Sequence, residues 1–172
     1  MTTANKITIF RILMIPVFLL LAYAGRFGWA LIVYLLACLS DMADGYIARH
    51  YNQITDFGKF MDPLADKMLV LSAMCFFVER LQMPGWVVAV VLFREFAVSG
   101  MRLVAVEQGR VIAAAWSGKI KTAVTMVALA LMLLFPNVSA LNWICSALIL
   151  ITTVYSGAEY FWKNLDVFKG AK

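Results

Sequence analysis

Long apolar runs alternate with short polar interruptions along the chain, and the run lengths set the first expectation. Stretches near 8–24, 29–49, 60–80, 84–107, 118–135 and 140–162 are dominated by Leu, Ile, Val, Ala, Met and Phe. A helix rising ~1.5 Å per residue crosses a ~30 Å hydrocarbon layer in about 20 residues, so the pattern predicts six membrane-spanning helices. Between them, "GRFG" at 25–28, "RLQMPG" at 80–85 and "PNVSA" at 136–140 carry the Gly, Pro and Asn of turns. Such short connections make successive helices antiparallel neighbours. No repeat, low-complexity tract or second domain breaks the pattern, and residues 1–172 read as one all-α membrane domain.

Composition agrees and excludes a soluble protein: 63% of residues are hydrophobic and the mean hydropathy is +0.85. The net charge of +5 could point to nucleic acid. In so apolar a chain it fits basic residues that anchor helix ends and meet anionic head groups or phosphorylated substrates, so no nucleic-acid partner is expected. Only Arg26 and Arg80 of the fifteen Lys and Arg fall on the side of the 25–28 and 80–85 connections. The positive-inside rule then makes the opposite side cytoplasmic, with both termini there, in a multi-pass protein of a bacterial-type cell membrane.

Lys6, Arg11 and the apolar run that ends in "AYA" at 22–24 imitate a cleavable signal peptide, but the spans that follow favour a retained first helix. The first few residues form a short interfacial segment before the chain turns into the membrane. Cys38, Cys75 and Cys145 stand singly in apolar runs and read as packing residues, and His50, the sole histidine, reads as interfacial.

Four aspartates do not fit the apolar pattern. Asp41 and Asp44, at i and i+3, share a face near the cytoplasmic end of the second span. Asp62 and Asp66, at i and i+4, share a face at the start of the third. Two antiparallel helices joined by the polar stretch "HYNQITDFG" can aim all four carboxylates into one pocket. Asp62 alone could be a cap favoured by the helix dipole, whereas Asp41 and Asp44 sit in a C-terminal half where the dipole disfavours them. Clustered carboxylates repel unless a cation neutralises them, and oxygen-only ligands suit Mg²⁺ or Mn²⁺. Two such ions ~3.5–4 Å apart are a known means of holding and activating phosphate. Small Gly45 and Ala48 leave room for a ligand, and Arg49 offers a planar fork for phosphate oxygens.

A basic set faces this pocket. Arg94 and Arg102, at i and i+8, lie close to one stripe of the fourth span, and Lys119 and Lys121 enter the fifth. Charges inside a membrane segment face the bundle interior or a wet cavity, which suggests an acceptor phosphate held by Arg94, Arg102 and Lys119. Glu95 reads as a partner for Arg94 or Arg102. Lys121 and Arg110 read equally well as interfacial anchors.

The spacing Asp41-x2-Asp44-Gly45-x2-Ala48-Arg49-x8-Gly58-x3-Asp62-x3-Asp66 resembles, at all its specified positions, the signature of the CDP-alcohol phosphotransferase family. "NKITIFR" at 5–11 is similar to the family's Asn-x2-Thr-x2-Arg element. "REFAVSGMR" and "GKIKT" resemble its phosphatidylglycerophosphate synthase branch. The resemblance implies a six-helix membrane fold, usually a homodimer, with the active site at the cytoplasmic boundary. It implies that Asp41, Asp44, Asp62 and Asp66 hold two divalent metal ions, and that Asp66 is also the catalytic base. Gly45, Ala48, Arg49 and Gly58 would take the CDP moiety, with Asn5, Thr8 and Arg11 closing over it. The substrates implied are CDP-diacylglycerol and glycerol 3-phosphate.

Cardiolipin, phosphatidylserine and phosphatidylinositol phosphate synthases share the aspartates, so the acceptor rests on the basic set, which favours one carrying phosphate. Intramembrane prenyltransferases also bind Mg-pyrophosphate through aspartates, but with more spans and other spacings. A divalent-cation transporter would place acidic residues near the midplane with access from both sides, whereas this cluster leans to one surface.

Overall fold

The computed structural model describes the backbone of residues 3–50, 56–109, 112–113 and 115–165, and the side chains of residues 7–40, 64–65, 67–109, 112–113 and 115–165. Its helices are α1 (Thr3–Tyr23), α2 (Phe27–His50), α3 (Asp56–Glu79), α4 (Gly85–Glu107), α5 (Trp116–Leu134) and α6 (Ser139–Lys163). No strand occurs among the described residues. Each predicted apolar run therefore becomes one helix, and the protein is all-α. Among the described residues no break separates an N-terminal segment from the first span: from Thr3 onward the chain is continuous with α1. Nothing in the sequence breaks the helix there, since its first proline, Pro16, lies well inside it.

The turns after α1 and α3 close by one device. After α1, Gly25 adopts φ +72°, which lets the Arg26 N–H donate to the Leu21 carbonyl at 2.9 Å. After α3 the same closure joins the Gln82 N–H to the Phe77 carbonyl at 2.9 Å, but the left-handed residue is Leu81, at φ 57°. A leucine pays a steric cost there that glycine avoids.

Cross-helix contacts fix the helix directions. Tyr23 at the end of α1 donates to the Glu79 carboxylate at the end of α3, and Gln82, just beyond α3, donates to the Pro136 carbonyl beyond α5. The carboxyl ends of α1, α3 and α5 thus share one end of the bundle. The main core draws on all six helices: Phe18, Tyr34, Phe76 and Met132 of α1, α2, α3 and α5 are inaccessible to solvent, and Val91 of α4 and Ile149 of α6 pack into the same cluster. Tyr34 also reaches across from α2 to the Met126 carbonyl of α5 at 3.4 Å. A smaller core of Val98, Met101, Ala105 and Tyr160 joins α4 to α6.

Large apolar side chains also cover the outside. Leu20, Trp29, Phe93, Phe96, Trp143, Ile151 and Trp162 are all more than half exposed. Among the described residues α5 and α6 are long and apolar enough to cross a membrane, and Ile7–Tyr23 and Phe27–Ser40 are shorter apolar helical stretches.

Candidate active site

The acidic signature spans the end of α2 and the beginning of α3, two helices packed against each other. Helical backbone at 41–50 and 56–66 puts Asp41 and Asp44 less than one turn apart, and Asp62 and Asp66 about one turn apart. The side chains of Asp41, Asp44, Gly45, Ala48, Arg49, His50, Gly58, Asp62 and Asp66, and that of Asn5, lie outside the described residues. As a donor set, four carboxylates on two helices, with no nitrogen or sulfur among them, fit a hard divalent cation. No group of three His, Cys, Asp or Glu side chains assembles among the described residues.

The N-terminal element meets this region from one side. Thr8 and Arg11 of α1 are completely buried, and Arg11 Nε donates to Ser40 Oγ at 3.5 Å. Ser40 is the residue immediately before Asp41, and its hydroxyl is held in turn by the Ala37 carbonyl at 2.7 Å. Arginine is expensive to bury, and its burial beside the first signature aspartate marks the α1–α2 seam as more than apolar packing.

Beside the amino-terminal part of α3 lies an ion cluster built on Glu95. Its carboxylate contacts Lys121 Nζ at 2.8 Å, Arg94 Nη1 at 3.0 Å and Lys67 Nζ at 3.8 Å. Lys67, next in sequence to Asp66, also donates to Ser99 Oγ at 2.8 Å, which ties α3 to α4. A cavity of about 30 Å³, room for a single water, opens between Lys67, Glu95, Lys121 and Thr125. The Arg94–Glu95 pairing matches the sequence expectation. Lys121, open to reading as an interfacial anchor, is instead 7% exposed and is Glu95's nearest cation.

Lys119 takes the other direction. Two residues along a helix point to different faces, and Lys119 stands exposed over the Trp116 ring, 5.3 Å from its centroid. Arg102 is also outside the Glu95 cluster: its Nε donates to the Tyr160 hydroxyl at 3.0 Å, and its guanidinium lies 5.5 Å from that ring's centroid. Arg94 and Lys121 thus share one carboxylate, whereas Arg102 and Lys119 are held separately by aromatic side chains.

The last helix contributes more than the sequence suggests. A Cβ at Gly157 of α6 would lie 3.1 Å from Arg94 Cγ, and one at Gly118 of α5 would lie 3.4 Å from Arg94 Nη2. Arg94 therefore passes through a slot left by two glycines, and Gly157 and Tyr160 share the α6 face that receives both arginines of α4. Neither residue carries charge, so an inspection of charge overlooks them. The spacing Gly157-x2-Tyr160 opposite a basic stripe is the only available sign.

A larger cavity, about 480 Å³, sits at the other end of the bundle between the α3–α4 and α5–α6 turns. Gln82, Asn137, Ser139 and Asn142 line it with apolar neighbours and no charged side chain. Size alone does not make it a phosphate site. Three of the described cations gather instead around Glu95, at the end where the signature aspartates fall in the sequence.

A family model described as CDP-alcohol phosphatidyltransferase matches residues 1–155. A Bacillus subtilis (strain 168) protein named CDP-diacylglycerol–glycerol-3-phosphate 3-phosphatidyltransferase is 39% identical over 96% of this chain and 96% of its own length. A Mycobacterium tuberculosis (strain ATCC 25618 / H37Rv) protein named "Probable phosphatidylglycerophosphate synthase" is 38% identical over 98% of this chain and 84% of its own. A Salmonella paratyphi A (strain ATCC 9150 / SARB42) protein with the same name as the Bacillus relative is 39% identical over 77% of this chain and 76% of its own.

Proposed function

Because the chain belongs to the CDP-alcohol phosphatidyltransferase family, we propose that it transfers the phosphatidyl group of CDP-diacylglycerol to sn-glycerol 3-phosphate, releasing CMP and phosphatidylglycerol phosphate. The observation that carries this reading is the match, across nearly the whole chain, to one relative named for that acceptor and one named for the product. The cation-rich cluster around Glu95 supports it, since serine offers no phosphate for such a cluster to hold.

The protein acts as a single six-span membrane domain with both termini and the active site on the cytoplasmic side, and as a homodimer. Outward-facing Leu20, Phe93, Phe96 and Ile151 suit a hydrocarbon surrounding, and the basic residues concentrate at one end. A site at that boundary lets acyl chains stay in lipid while the nucleotide and acceptor arrive from water.

In the reaction, Asn5, Thr8, Arg11, Gly45, Ala48, Arg49 and Gly58 take the CDP moiety, the small residues by leaving space and the arginines by neutralising charge. Arg94, Arg102 and Lys119 hold the acceptor phosphate, which brings the C1 hydroxyl to Asp66. Asp66 removes the hydroxyl proton as its oxygen attacks the lipid-side phosphorus. The new P–O bond forms as the bond to CMP breaks, and CMP leaves with the electron pair. Asp41, Asp44, Asp62 and Asp66 would hold two divalent ions, which neutralise pyrophosphate charge.

The test is CMP release by purified protein in detergent with CDP-diacylglycerol and Mg²⁺ or Mn²⁺. Glycerol 3-phosphate, serine, inositol phosphate and phosphatidylglycerol are supplied in parallel. Release with glycerol 3-phosphate is expected; release only with serine or phosphatidylglycerol overturns the acceptor assignment.

A further inference from the structure

Glu95 is the one carboxylate among the described side chains of the basic cluster, and three cations share it: Lys121 at 2.8 Å, Arg94 at 3.0 Å and Lys67 at 3.8 Å. These cations come from three helices, α5, α4 and α3, so the carboxylate is the point at which those helices are electrostatically joined. Lysine and arginine side chains lose rotamer freedom when fixed. A cluster ordered before the acceptor arrives does not incur that loss on binding. Three positive charges and one negative leave a net charge of +2, and a phosphate monoester carries about −1.5 to −2 at pH 7. A phosphodiester carries one negative charge, and a zwitterion such as serine carries none overall.

We propose that Glu95 is a positioning residue of the acceptor site, holding Arg94, Lys121 and Lys67 as one fixed array of net charge +2 that, beside the separately held Arg102 and Lys119, favours a phosphate monoester dianion. The inference rests on the acceptor reading above and adds Lys67 and Lys121 to the groups that present charge to the acceptor. Glu95 itself touches no substrate. It acts through the cations it holds, and so bears on acceptor affinity rather than on the lipid substrate or the chemical step. Lys67 adds a second link: as the neighbour of Asp66 and the partner of Ser99, it couples the placement of this array to the helix that carries the proposed base.

The experiment compares wild type, Glu95→Gln, Glu95→Asp and the double variant Glu95→Gln/Lys121→Met, each as full-length protein in detergent. Initial rates of CMP release are measured against glycerol 3-phosphate and against CDP-diacylglycerol separately. Glu95→Gln is expected to raise KM for glycerol 3-phosphate about tenfold, with KM for CDP-diacylglycerol within about twofold of wild type. Glu95→Asp, which keeps the charge, is expected to recover most of that loss. The double variant removes the carboxylate together with its nearest cation, so it strands less charge and keeps the +2 count without the tether. Its KM for glycerol 3-phosphate is expected to stay raised.

An unchanged acceptor KM in Glu95→Gln overturns the proposal, as does an equal rise for both substrates. A double variant with wild-type KM would show that charge count alone matters and overturns the positioning role. If wild type itself releases no CMP with glycerol 3-phosphate, the acceptor reading fails, and the proposal fails with it in a way visible before any variant is compared.

Discussion

Arg94 Cγ stands 3.1 Å from the point that a Cβ on Gly157 would occupy. Cγ lies close to the backbone of its own residue, so it cannot swing aside as the tip of a long side chain can. Gly157→Ala therefore forces either Arg94 or α6 to shift, at about 1–3 kcal/mol for such overpacking. We expect a lower detergent melting temperature together with a several-fold rise in KM for glycerol 3-phosphate. A wild-type KM in a folded Gly157→Ala protein would show that the slot does not govern Arg94.

Tyr160→Phe tests the second arginine. The substitution keeps the ring beneath the Arg102 guanidinium and deletes only the hydroxyl that accepts from Nε at 3.0 Å. Because Arg102 is exposed, the expected loss is small, about 1 kcal/mol or less. Acceptor KM should rise no more than about fivefold with the melting temperature nearly unchanged, as measured by acceptor titration and thermal unfolding.

The two lysines of the fifth helix should separate in stability. Lys121→Met strips Glu95 of its nearest cation inside the bundle, but Arg94 and Lys67 remain. The cost should therefore be about 2 kcal/mol, below the ~3–5 kcal/mol of a fully broken buried pair. Lys119→Met removes an exposed charge that packs on Trp116 and should change stability by less than about 0.5 kcal/mol. Thermal unfolding of both variants in one detergent makes the comparison; equal losses would contradict the burial difference.

Asp66→Asn should remove turnover by about 10²–10⁴-fold if the carboxylate takes the proton, while CDP-diacylglycerol is still bound. Equilibrium binding of the lipid alongside the CMP assay distinguishes lost chemistry from lost substrate. Chelation with EDTA should abolish CMP release in the wild type, and added Mg²⁺ or Mn²⁺ should restore it.

Leu81 offers a stability test remote from the site. It is 94% exposed and sits at φ 57°, so its side chain gives little packing in return for the strain. Leu81→Gly should stabilise the protein by about 0.5–1 kcal/mol, with kcat unchanged. Thermal unfolding reads the shift; a destabilised variant would mean that the leucine is engaged by something outside the bundle.

The six helices were legible because each apolar run has the length of a helix and ends at Gly, Pro or Asn. The continuous start of α1 was not. Lys6 and Arg11 looked like interfacial residues, yet Arg11 is buried against Ser40, a contact set by the approach of α2 that no local pattern records. The spacing of Asp41, Asp44, Asp62 and Asp66 was legible for a complementary reason, since carboxylates stand out in an apolar chain. Lys119 and Lys121 show the limit. Both are basic and two positions apart, and only the packing of α5 against its neighbours decides that Lys121 turns inward. Gly157 and Tyr160 carry no charge and act by shape or by one hydroxyl, so their part emerges only when α6 is seen against Arg94 and Arg102.

This arrangement of α6 divides labour along the chain in an unexpected way. The carboxylate half of the molecule can keep its residues while the far end of the chain, some ninety residues later, alters how the arginines are aimed. A graft that exchanges only α6 between relatives would be an economical route to altered acceptor preference. Positions 157 and 160 would be the first two to hold constant or to vary.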